Sequence, residues 1–240
     1  DRSGLNSIFV DPVNGSDSNS GSFANPLRTI EEARNTVRNI KDTVNENIYI
    51  HLAEGKYFLD KTLTFDERDS GINGNSVIYS GNNAVISGGR RIDGWTLFDS
   101  EKNIYCADTN GKYSRQLYVN GKRAVRARSK GGIKAESTDK NVGIYTKQMD
   151  LLSFKKPGDV ECVFKCVWSS PRVSVEAVES TGEGSLIKMK QPFWNIAADR
   201  GQITAKDVWY YENAYELLDE AGEFYIDKEN EKIYYIPECN

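Results

Sequence analysis

Glycine and asparagine cut the chain between Asn47 and Gly89 into runs of three to six strand-forming residues, and this segmentation constrains the fold more than any other feature. The runs are Ile48 to Ala53, Tyr57 to Leu59, Thr62 to Phe65, Val77 to Ser80 and Val85 to Ser87. They lack the two-residue turns of regular hairpins, which disfavours antiparallel pairing of consecutive runs. Coils of a parallel β-helix suit the pattern, because each short strand stacks on the equivalent strand of the next coil. Such a solenoid must cover the open end of its first coil, and the sequence places one amphipathic helix ahead of the strands. Thr29 stands where an N-cap belongs with Glu32 three residues on, and Ile30, Ala33, Val37 and Ile40 then recur at helical spacing over about three turns. No other segment reads convincingly as a helix.

A second regime begins near Arg115. Gln116 to Val119, Val142 to Thr146, Glu161 to Val167, Val173 to Val178, Ser185 to Met189, Glu223 to Ile226 and Lys232 to Ile236 are strands of ordinary length between polar turns. Asn120-Gly121 is a hairpin turn by composition, and Asp227-Lys228-Glu229-Asn230 separates two aromatic strands in the same way. This spacing predicts an antiparallel sandwich or barrel.

Composition removes several classes of function. With 38% apolar and 28% charged residues and a mean hydropathy of -0.59, the chain is too apolar for disorder and too polar for a membrane protein. No stretch approaches the roughly 18 apolar residues of a spanning helix, so a soluble protein without a membrane partner is expected. A net charge of -4 gives no global attraction to nucleic acid. The single histidine, His51, rules out zinc sites built from two or three histidines of this chain, and its place in Ile48-Tyr49-Ile50-His51-Leu52 reads as an outward-facing strand position. Neither a GxSxG elbow nor a GxxxxGK[ST] loop occurs. The loop Asp11 to Ser22 is rich in Asp and Asn, but its order fails the EF-hand template, so no metal is assigned. Cys162 and Cys166 share one expected strand and would stand roughly 13 Å apart, beyond the 4.4–6.8 Å of a disulfide. Structural thiols, or a bridge to Cys106 or Cys239, are the readings left open.

Ile8-Phe9-Val10 with Gly15-Ser16-Asp17, and Asn25-Pro26-Leu27-Arg28-Thr29-Ile30, resemble the opening of secreted right-handed parallel β-helix proteins that act on polysaccharides. His51 to Phe58, Ile86 to Ile92 and Gly94-Trp95 extend the likeness through the coils. Arg115 to Arg128, Tyr211-Glu212-Asn213, Leu217-Leu218-Asp219 and Gly222 to Asp227 carry it onward. The chain is similar to the glycoside hydrolase family 141 type, whose members include xylan- and fucoside-cleaving enzymes. The resemblance implies a mainly β fold: the start of a right-handed parallel β-helix with one N-terminal capping helix over residues 1–114, and an inserted antiparallel β-sandwich or barrel over residues 115–240. It also implies an extracellular or cell-surface location and a polysaccharide or oligosaccharide partner. In such proteins later coils carry the catalytic carboxylates. More of the same chain, or another chain, is therefore expected to cover the open end of the coils.

Two-carboxylate hydrolysis without a cofactor is the expected chemistry of the parent protein, and these residues alone are expected to be inactive. A non-catalytic glycan-binding or scaffold module and a lyase acting on uronate-containing glycan are the rival readings. The densest acidic cluster near the coils is Asp66, Glu67 and Asp69, a weak catalytic candidate that a polar turn would explain equally well. Residues 112–134 hold eight cations and no acid, whereas residues 212–240 hold nine acids and two lysines. Mutual neutralisation is the plain reading of that asymmetry, and an acidic glycan at Arg126 and Arg128 is the functional one. Trp95, Trp168, Trp194 and Trp209, with Tyr210 and Tyr211, are the rings able to stack on a sugar; Trp194, Trp209 and Tyr211 are the substrate-binding candidates, with Trp194 expected to be exposed and Trp168 expected in the core.

Overall fold

A computed structural model describes residues 6–166, 168–199 and 208–238. The chain divides into two compact units, Asp1–Arg91 and Ile92–Asn240. No helix among the described residues is long and apolar enough to cross a membrane.

The first unit contains β1 (Ser7–Val10), α1 (Ile30–Ile40), β2 (Ile48–Leu52), β3 (Gly55–Phe58), β4 (Val77–Gly81) and β5 (Ala84–Ser87). All its ladders are parallel: β1 pairs with β2 and β2 with β4, so that Ile8, Ile50 and Tyr79 align, while β3 pairs with β5. Four of the five expected runs are therefore strands. Thr62 to Phe65 is not, and the Thr64 carbonyl instead accepts from Arg34 Nη1 at 2.7 Å. α1 begins as its capping residue requires, with Thr29 Oγ1 accepting from the Glu32 N–H at 3.1 Å. Glu32 does not complete the reciprocal bond and accepts from Asn35. Asp17 fixes the cap by accepting from the N–H of Arg28 and Thr29 and from the Thr29 hydroxyl. Ile30, Ala33 and Val37 face Ile8, Val10, Ile48 and Ile50, which makes the core of this unit. His51 lies outside that core and stacks on Phe9, its ladder neighbour, at 4.8 Å.

The second unit begins upstream of the boundary expected at 114/115, because β6 (Thr96–Asp99) and β7 (Ile104–Asp108) belong to it. Next in sequence are the short hairpin β8 (Tyr118–Val119) and β9 (Lys122–Arg123), with Asn120 and Gly121 both at positive φ as the turn demands, and then β10 (Val125–Arg126). β11 (Ala135–Asp139), β12 (Gly143–Thr146), β13 (Glu161–Phe164), β14 (Arg172–Ser180), β15 (Ser185–Met189), α2 (Phe193–Asp199), β16 (Val208–Glu212), β17 (Glu223–Asp227) and β18 (Lys232–Tyr235) complete the order. One sheet runs β10-β17-β18-β7-β6 and is antiparallel except for β10 against β17. The other runs β11-β12-β15-β14-β13-β16 and is wholly antiparallel.

The six-stranded sheet curls on itself. Residues 128–133 run beside β16 at one edge, where Ser129 N–H donates to the Tyr211 carbonyl, and then lead into β11 at the other edge. A Cβ at Gly132 would lie 2.0 Å from the Val208 carbonyl oxygen, so only glycine permits this approach. Ile144, Cys162, Phe164, Val175, Ile187 and Met189 fill the interior. α2, a helix the sequence does not announce, drives Trp194 into the same core. Cys106 and Cys162 are free buried thiols, and burial pushes the Cys162 thiol up to about 12. Cys239 lies outside the described residues.

Candidate functional site

The acidic cluster of the first unit forms a capped turn. Asp66 and Asp69 cap each other's backbone across the 3-10 turn Glu67–Asp69, and Glu67 faces solvent. Asp69 also accepts two bonds from Arg38, at 2.6 and 2.7 Å, which ties the turn to α1. The Arg38 contact holds the Asp69 carboxyl below its ordinary value, and the Arg68 side chain does the same for Asp66. A glycosidase acid must stay protonated near neutrality, so these environments favour the opposite state. The turn and its ion pairs account for the weak catalytic candidates Asp66, Glu67 and Asp69.

A second carboxylate pair lies in the second unit. Glu161 on β13 and Glu212 on β16 are direct cross-strand neighbours, and both accept from the same nitrogen, Arg126 Nη1, at 2.6 and 3.0 Å. Arg115 binds Glu161 through Nε and Nη2 at 2.8 and 3.1 Å, and Arg172 reaches Glu212 at 3.2 Å. Asn213 accepts from Arg126 Nε and the Tyr113 hydroxyl from Nη2. The side chains of Arg126 and Glu161 are 4% and 2% exposed. Burial alone would raise the Glu161 carboxyl, but the Arg115 hydrogen bonds and the Arg126 charge hold it below its ordinary value. The charge and burial of this pair do not suit a glycosidase acid, which must stay protonated. Arg126, a candidate substrate contact, is a buried structural cation.

Burial pushes two other carboxyls up. Asp159 accepts from the Tyr225 hydroxyl at 2.8 Å, and Glu223 accepts from the N–H groups of Asp219 and Glu220. The opposite charges of 112–134 and 212–240 do meet, in Arg126 with Glu212 and Lys130 with Glu220. Much of the compensation nevertheless comes from Glu161, outside both segments. Among the described residues, no cluster of three or more His, Cys, Asp or Glu is placed to hold a metal ion.

The aromatic candidates separate sharply. Trp194 is 0% exposed, with its indole N–H donating to the Asp139 carbonyl at 2.9 Å, so the expectation that it is exposed is corrected. Trp168 is 87% exposed, so the expectation that it belongs to the core is corrected too; it stands past the end of β13 rather than within it. Tyr211 is buried on the interior side of β16 and is unavailable for stacking. Trp209 is 55% exposed. It is the extra residue of a β-bulge, since Val163 pairs with Tyr210 and Phe164 with Val208. A bulge re-aims a side chain, and here the Trp209 ring meets the Tyr210 ring at 5.3 Å and 66°. Lys165 Nζ lies 5.5 Å from the Trp209 ring centre, and Arg128 Cζ lies 5.4 Å from that of Tyr210. Arg128 also borders a groove of about 350 Å3, lined in addition by Lys130, Gly132, Gln148 and Asp219. Lys165 and Arg172 went unremarked in the sequence, where Tyr210 stood only among the rings able to stack on a sugar.

Residues 103–238, more than half of the chain, match the family model of the GH141 insertion domain, and the chain belongs to that family. A solved structure titled as a glycoside hydrolase aligns over 97% of this chain with a TM-score of 0.81 and 28% identity. The alignment takes in 43% of that chain, so the present chain spans under half of its length. Another, titled the complex structure of XylC with xylose, aligns with a TM-score of 0.32 and 14% identity over 90% of this chain and 32% of that one. No match was found among curated proteins.

Proposed function

We propose that the chain is the N-terminal portion of a secreted glycoside hydrolase that cleaves a plant-type polysaccharide, xylan or a fucosylated glycan, with two carboxylates contributed from outside these residues. In this reading the parallel strands of the first unit start a right-handed β-helix, α1 covers its first coil, and the second unit is the inserted domain. Further coils of the same protein then continue the helix. The observation that carries the reading is the likeness, over 97% of this chain, to a glycoside hydrolase of which it covers only 43%. The ion-paired state of Asp66, Asp69, Glu161 and Glu212 supports placing the reacting acids elsewhere.

Product release tests this directly. Folded 240-residue chain, incubated with xylan, fucosylated glycans and pectins, should release no reducing ends, whereas the protein expressed from its whole reading frame should release them without ultraviolet absorbance. Release by the short chain would move the catalytic acids into it. An unsaturated, absorbing product would replace hydrolysis with a lyase reaction.

A further inference from the structure

We infer that the outer face of β16 is a docking subsite for a uronic acid residue of a glycan, with Trp209 and Tyr210 as the stacking surface and Arg128 and Lys165 as the carboxylate contacts. The inference deepens the glycan-degrading reading and rests on it for the class of polymer. Aromatic rings offer flat apolar faces that match the C–H face of a pyranose, and here the bulge turns the largest such ring of β16 away from the core. Trp209 and Tyr210 meet at 66°, so a sugar on one ring has the other as a wall.

The charge around these rings selects an acidic sugar. Arg115, Arg126 and Arg172 engage two carboxylates, Glu161 and Glu212, so this network holds three cations against two anions. Arg128 and Lys165 add two more, both exposed and neither with a carboxylate partner among the described residues. At the two rings themselves the flanking charged side chains are both cations, in a chain of net charge -4, while the acids Asp219 and Glu223 lie on the groove side of Arg128. A uronic acid carries its carboxylate on the ring that stacks, so the anion falls at the rim of the aromatic surface, where the two cations stand. Exposed cation–π contacts are weak, so both side chains can turn from ring to carboxylate. The groove that starts at Arg128 gives adjoining sugars of the polymer a place to lie.

The test is calorimetric titration of the whole 240-residue chain with oligogalacturonate, with the same oligosaccharide after reduction of its carboxyls, and with dextran sulfate. Oligogalacturonate should bind, the reduced form should bind more weakly, and Trp209→Ala should weaken binding by about tenfold or more. Arg128→Gln with Lys165→Gln should bring the acidic oligosaccharide down to the affinity of the reduced one. All these side chains are exposed, so unchanged thermal unfolding verifies the fold of each variant. Absence of binding, indifference to Trp209→Ala, or equal affinity for the reduced form would each overturn the subsite. Dextran sulfate binding as tightly, with the same loss in the charge variants and none in Trp209→Ala, would reduce it to generic polyanion attraction. Failure here is separable from failure of the hydrolase reading, since product release by the whole protein is measured independently of binding by this chain.

Discussion

Glu161, Glu212 and Arg126 show why side-chain environment outranks spacing in assigning a role. Two glutamates side by side across a strand pair invite a catalytic reading, yet three arginines and near-complete burial make them a structural network. Removing the shared cation leaves two buried carboxylates facing each other. Arg126→Met, which keeps the volume, should therefore destabilise the second unit by about 3–5 kcal/mol in urea unfolding. A loss below about 1 kcal/mol would mean that the network is hydrated or readily rearranged. Tryptophan gives the sharpest contrast between sites. Trp194→Ala removes a fully buried ring and the Asp139 hydrogen bond and should cost about 3–5 kcal/mol, whereas Trp209→Ala should stay within about 0.5 kcal/mol. The same unfolding curves check both, and a reversed order would exchange the roles assigned to the two rings.

Elements declare themselves in sequence when their stabilising contacts are local. α1 does so because its cap, Thr29, and its apolar stripe lie within twelve residues, and the β8–β9 hairpin does so because Asn120-Gly121 fits its turn. The short strands β2, β3, β4 and β5 are equally plain, since Gly and Asn bound them. β16 is not plain: Trp209 and Tyr210 reach solvent one after the other, a pattern that only its bulge explains. α2 hides behind Pro192 and has a buried face defined by the curled sheet around it. The contacts of Arg126 are separated from it by 35 and 86 residues, too far for any local pattern to reveal. The turn at Asp66 to Asp69 is an intermediate case, in which the capping residues are visible but their partner on α1 is not. Asp69→Ala should cost about 2 kcal/mol by releasing Arg38 and the Asp66 N–H, while Glu67→Ala should leave stability unchanged. Sugar release by the whole protein should be indifferent to Glu67→Ala, and its abolition would restore the acidic cluster to catalysis.

Across the whole molecule, buried and paired carboxyls of opposite shift shape stability against pH. Asp69, Glu161 and Asp227 are held below their ordinary values: Asp69 by Arg38, and the other two because their Arg and Lys partners outweigh the upward push of burial. In the unfolded chain such groups take up protons near pH 4, so their contribution is complete above about pH 4.5 and is lost as pH falls through the lower folded values. Asp159 and Glu223 act in the other direction. Burial raises both, so their ionised forms burden the folded state at neutral pH, and that burden lifts as pH falls toward the raised values. The two sets together predict a thermal midpoint that rises slightly from pH 7 to about 5 and falls steeply below about pH 4. Circular dichroism melts between pH 3 and 8 would trace the curve. Glu223→Gln keeps an acceptor for the Asp219 and Glu220 N–H groups but cannot ionise, so it should remove part of the rise. Glu161→Gln should instead lower the midpoint at neutral pH and make the acid limb shallower, because the charge holding Arg115 and Arg126 is already absent. A wild-type midpoint that stayed constant down to pH 3 would contradict the assignment of these ion pairs as stabilising elements of the fold.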